Sequence, residues 1–135
     1  MELTDKQKQY INNKLTILSK SKFRSSFHLN KKLKEYINKN GLEKIEQHAY
    51  DFIRKNIAVK TPKNDGKQTP MKNHPVFIAQ HACACCCRSC LEKWHKIPKN
   101  RELKENEVKY LVSLIMSWII IEYQDNIWLI NNNVI

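Results

Sequence analysis

Glycine stands at only two of the 135 positions and proline at four. So little of either excludes a collagen-like chain and a Pro/Gly-rich disordered tail. It also leaves few positive-φ turns, so helices are expected to dominate. Acidic residues are scarce as well: 13 Asp and Glu face 24 Lys and Arg, a formal net charge of +11 with the histidines neutral. That balance disfavours acidic partners and favours polyanionic ones. No long apolar run follows the amino-terminal charges, because Met1 to Ser19 reads as an amphipathic segment carrying Asp5, Lys6 and Lys8. Neither a secretory signal nor a transit peptide is expected, and the location expected is cytoplasmic. The longest apolar stretch, Tyr110 to Ile121, contains Ser113 and Ser117. At about 1.5 Å per residue it spans roughly 18 Å, short of the roughly 30 Å hydrocarbon layer, so it reads as a buried core helix with no membrane role.

What is present suits one small all-α domain, a helical bundle long enough to bury a core without disulfides. Residues 1–123 are expected to form it, and residues 124–135, with three consecutive asparagines, are left as a tail without assignment. Thr4 can cap a first helix with Tyr10, Ile11, Leu15 and Leu18 at helical steps, ending near Ser19. Ser19 to Phe27 mixes cations, hydroxyls and two aromatics, and reads as an irregular connection that Phe23 and Phe27 pin to the core or that contacts phosphate. Asn30 caps a short helix bearing Leu33, Tyr36 and Ile37, and Gly41 stands where a left-handed cap belongs. Leu42, Ile45, Ala49, Phe52 and Ile53 stripe the next helix, to Ile57, with His48 beside them as a hydrogen-bonded, half-buried histidine. From Ala58 to Asn73 periodicity disappears, and a loop this long is usually functional or disordered. Pro75 starts another helix toward His81. A last helix begins between Glu102 and Glu105 and is apolar on nearly every side, either the centre of the bundle or a surface for homodimer formation.

All five cysteines fall between Cys83 and Cys90, with His74 and His81 before them and His95 after. An odd number packed this tightly is a poor disulfide framework and a better metal site. Cys87 and Cys90 are separated by two residues, and His95 follows Cys90 after four, a run that begins like a zinc knuckle. His81 is the leading candidate for the remaining ligand, with His74, Cys83, Cys85 and Cys86 behind it. Two thiolates and two imidazoles would enclose a tetrahedral, structural Zn2+. A cysteine nucleophile paired with His81 or His95 is the enzymatic alternative, with Arg88 lowering a thiol pKa. The zinc-deaminase pattern is absent, since both its glutamate and its proline are missing.

The strings Lys63 to Met71, His74 to Ala82 and Cys86 to His95 together resemble the small bacterial family catalogued as domain of unknown function 4186. The resemblance spans roughly residues 15–122 and implies no established activity. Its pattern has His81, Cys86, Cys87, Cys90 and His95, which makes those five the candidate metal ligands and moves Cys83 and Cys85 toward packing. Asn73 and Asn100 stand where the pattern has glycine.

The function expected is therefore that of a small basic zinc-stabilised protein binding DNA or RNA. Lys20, Lys22, Arg24, Lys63, Lys67 and Arg88 are the candidate phosphate contacts. Two alternatives stand beside it. One is a hydrolase using His48, His74 or His81 with a cysteine, or a metal with an open position and Asp65 or Glu46 as base. The other is a phage or mobile-element protein-interaction module.

Overall fold

The structure, a computed structural model, describes residues 2–131, with side chains described through Gln124; the end of the expected tail lies outside the described residues. Among the described residues six α-helices form the fold and no strand occurs. Helix α1, Asp5–Ser19, starts at a reciprocal cap in which the Thr4 hydroxyl accepts from the Gln7 amide and the Gln7 side chain accepts from the Thr4 amide. Such a pairing satisfies two amides that the first turn leaves free. A 3-10 turn at Arg24–Ser26 leads to α2, Lys31–Asn40, capped by the Asn30 side chain. Gly41 then separates α2 from α3, Leu42–Phe52, with φ +85° and ψ 152°. The φ is positive as expected, but the ψ lies outside the left-handed helical region, because the residue must both end one helix and begin the next.

The stripe on α3 buries Ile45 and Ala49 and continues into a π-helical turn, Ile53–Ile57, which buries Ile53 and Ile57. Leu42, at the start of the expected stripe, is exposed instead. After the loop, α4 spans Pro75–Ala82 with His74 as its cap and Pro75 in its first turn. Helix α5, Arg88–His95, is capped by the Cys87 sulfur. Helix α6, Glu105–Asn131, begins with Glu105 and Glu107 at its positive end. It forms the centre of the bundle, packing on α1, α3, α4 and the π turn. Val108, Leu111, Val112, Leu114, Ile115 and Ile119 are all buried there. No helix among the described residues is long and apolar enough to cross a membrane.

Asn73 and Asn100 hold φ angles of +83° and +68°. Glycine adopts such angles freely and asparagine tolerates them better than most residues, which accounts for the glycines expected at both places.

Candidate metal centre

The chain leaves α4 through a left-handed residue, Ala84 at φ +58°, and turns directly into α5. This turn sets Cys86 just before the α5 cap, Cys87 at the cap and Cys90 one turn inside. Their three sulfurs all lie within 4.8 Å of one another. Cys86 and Cys90 are 3.6 Å apart, and the Cys90 amide donates to the Cys87 sulfur at 3.4 Å. Cys86 and Cys87 are buried and Cys90 is half-buried, so one side of the cluster reaches solvent.

Arg24 closes the other side. It comes from the 3-10 turn more than sixty residues earlier, is only 7% exposed, and donates to the Cys86 sulfur at 3.6 Å and the Cys90 sulfur at 3.1 Å. The same guanidinium donates to the His81 carbonyl at 2.7 Å, tying the turn to the end of α4. Hydrogen bonds from the Cys86 and Cys87 thiols, and then Arg24, hold the Cys90 thiol far below its ordinary range. Cys86 moves the opposite way, since its hydrogen bonding to Cys87 and Cys90 and its burial favour the protonated form. Cys90 is thus the first of the three to become a thiolate, the form that binds metal.

The long loop is fastened to the same place. The Thr69 hydroxyl donates to the Cys86 carbonyl at 2.8 Å, and His81 Nε2 lies 3.2 Å from the Thr69 carbonyl and 3.0 Å from that of Pro70. Gln80 donates to the Cys85 carbonyl from inside the core.

The structure brings together part of the candidate ligand set. Cys86, Cys87 and Cys90 converge, whereas His81 and His95 do not join them among the described residues. His81 spends Nε2 on the loop carbonyls and stacks its ring on Phe27 at 5.3 Å. His95 bonds the Cys83 carbonyl at 2.8 Å through Nε2 and the Tyr110 hydroxyl at 3.0 Å through Nδ1, so both of its nitrogens are engaged. Burial lowers its pKa to about 4. Cys83 and Cys85 pack in the core, with burial raising both thiols. Neither Asp65 nor Glu46 enters the sulfur cluster; Asp65 accepts from the Gln68 amide on an exposed part of the loop. His74 and His48 pair with each other at 3.0 Å, apart from the thiols.

Two candidate phosphate contacts are buried. Arg24 is used by the sulfurs. Arg88 is 1% exposed and donates to the carbonyls of Ile57, Val59, Pro98 and Arg101, so no face of it is offered to a phosphate. Lys20, Lys22, Lys63 and Lys67 are exposed. Phe23, expected to pin the turn, is 55% exposed, whereas Phe27 packs against the core.

Fold and site together define a small all-helical protein with a three-cysteine cluster able to hold a metal ion. A family model described as Domain of unknown function (DUF4186) matches residues 12–120, and the chain belongs to that family. No solved structure matches it.

Proposed function

We propose that this chain is a zinc-stabilised nucleic-acid-binding protein. The observation that carries the metal is the convergence of three sulfurs under one guanidinium. Four sulfur ligands at about 2.3 Å around a tetrahedral ion lie roughly 3.8 Å apart, close to the 3.6 Å between Cys86 and Cys90. Thiolate-rich tetrahedral sets select zinc among the common divalent ions. Three thiolates around Zn2+ leave one negative charge, and Arg24 offsets it. The three cysteines would supply three of the four ligands of such an ion. Held this way, the metal fastens the start of α5, the 3-10 turn and the loop at Thr69 together, which is a structural role. The thiols, none of them paired in a disulfide, suit a reducing compartment such as the cytoplasm.

The nucleic-acid part rests on charge that is free to act outward. Among the described residues only two Lys/Arg side chains, Arg54 and Arg101, have a carboxylate within 4.0 Å. The exposed lysines, Lys20, Lys22, Lys63 and Lys67 among them, therefore keep their charge for counter-ions or phosphates.

Elemental analysis of the purified protein tests the first part, with one zinc per chain expected and lost in Cys90→Ser; protein that folds without any metal refutes it. Binding to a short oligonucleotide at two salt concentrations tests the second. The logarithm of affinity should fall by about 0.7–0.9 per phosphate for each tenfold rise in salt, and a salt-independent affinity refutes it.

A further inference from the structure

A groove of about 530 Å3 runs along α2, on the side where the loop returns to α4. Volumes of this size are typical of sites that hold one small molecule. Its walls have a definite chemistry. Lys32 and Lys39 stand seven residues apart on α2, two turns along one side of the helix or about 10 Å, and Lys72 faces them from the end of the loop. None of the three has a carboxylate within 4.0 Å among the described residues. Glu35 is the single acidic residue at the groove, so its net charge is positive.

Between the lysines lies Tyr36. Its ring is half-buried and braced edge-on against His74, with centroids 5.1 Å apart, so it is a fixed wall. Leu33 and Ile78, both buried, give an apolar floor. At one end Asn30 uses its side-chain oxygen to cap α2, at 2.9 Å from the Leu33 amide, which leaves its side-chain NH2 as a donor. Asn73, held at φ +83°, supplies a second amide at the rim.

Cations at both sides, an immobilised aromatic ring, an apolar floor and two carboxamides are together the recognition set for a nucleotide. We infer that the groove binds one nucleotide unit, with its phosphate on Lys32, Lys39 and Lys72, its base against Tyr36, and the base edge read by Asn30 and Asn73. The site stands on this geometry. That the unit belongs to a nucleic-acid strand rests on the reading under Proposed function, and a free mononucleotide presents the same chemistry. The six candidate phosphate contacts read from the sequence include none of these three lysines.

The test uses the full, metal-loaded chain with two probes, a short fluorescein-labelled oligothymidylate followed by anisotropy and adenosine monophosphate followed by calorimetry. The Lys32→Gln/Lys39→Gln/Lys72→Gln protein is compared with a Lys63→Gln/Lys67→Gln control. All five lysines are exposed, and circular dichroism verifies the fold of each variant. The groove variant is expected to lose about tenfold or more in oligonucleotide affinity and to flatten the salt slope by roughly 0.7, for the one phosphate that the three lysines share, while the control changes little. Oligonucleotide binding that survives in the groove variant and fails in the control overturns the groove and leaves nucleic-acid binding standing. Adenosine monophosphate binding that needs the groove lysines, with no oligonucleotide binding, upholds the groove and overturns the strand. If neither probe binds at low salt, both are overturned.

Discussion

Replacing Arg24 by methionine removes a charge from the thiol cluster while keeping most of the side-chain volume, and its consequence can be worked from distances. The guanidinium nitrogen is 3.1 Å from the Cys90 sulfur, and a metal–sulfur bond adds about 2.3 Å, so the cation sits roughly 5 Å from the centre of the metal site. One negative charge on the proposed three-thiolate zinc centre and one positive charge on Arg24 would then attract by about 3 kcal/mol at an effective dielectric of about 20. The half-exposed side at Cys90 screens part of this, leaving about 1.5–3 kcal/mol, or 10- to 100-fold in metal affinity. That range is also what removal of a hydrogen-bonding partner of a metal ligand typically costs. The variant also leaves the His81 carbonyl with the Ala84 amide alone as donor, but this loss occurs with and without metal and cancels from the affinity difference. Cobalt substitution, read from thiolate charge-transfer absorbance and back-titrated with zinc against a competing chelator, gives the affinities. Arg24→Lys is expected to recover part of the loss, since an ammonium supplies the charge but not the fork that reaches both sulfurs. Zinc affinity equal to or tighter than the parent's in Arg24→Met would refute the charge-offset argument.

Other consequences follow from the same contacts. Arg88→Ala leaves the buried Ile57 carbonyl and the part-buried carbonyls of Val59, Pro98 and Arg101 without this donor, unfastens α5 from them and empties a buried side-chain volume, so a loss of about 2–4 kcal/mol in chemical denaturation is expected; a loss below about 1 kcal/mol would contradict it. Burial first, and then His48 beside it, lowers the His74 pKa to about 4, and burial lowers that of His95 to about 4 as well. Each imidazole therefore takes up its proton more readily in the unfolded chain, whose histidines titrate near 6.5. Between about pH 6.5 and 4 the unfolded state binds more protons, so stability is full above that window and falls as pH drops through it, by up to about 3 kcal/mol per histidine. Urea denaturation across that range checks the sign, and stability that rises on acidification contradicts it. Lys96 caps α5 at φ +59° and is exposed, so Lys96→Gly should raise the melting temperature by the equivalent of about 1 kcal/mol, and a lowered melting temperature would count against left-handed strain there.

The helices were legible wherever a local signal existed. Thr4, Asn30 and Pro75 mark three starts because capping chemistry lies within four residues of the end it caps, and the α3 stripe and the apolar α6 announce their burial by period. Helix α5 lacked such a signal: its deeply buried residues are Leu91 and Arg88, and a buried arginine reads from sequence as a surface cation. Composition says that a guanidinium is charged, but only the fold says that four carbonyls surround it.

The site divides along the same line. Cys86, Cys87 and Cys90 are close in sequence, and a single turn into a helix N-terminus is enough to bring them together. Cys86 and Cys90 are four residues apart, although Cys86 lies outside α5 and reaches Cys90 across the cap. His81 and His95 are as near in sequence, yet proximity does not decide where an imidazole points. Backbone carbonyls left free where α4 ends and where the loop meets Cys86 compete for the ring nitrogens, and a carbonyl at 2.8–3.2 Å holds each Nε2. Arg24 lies 62 and 66 residues from the two sulfurs it touches, so no spacing rule could nominate it. A cation chosen for phosphate on the strength of its neighbours in sequence instead donates to two of the three clustered sulfurs.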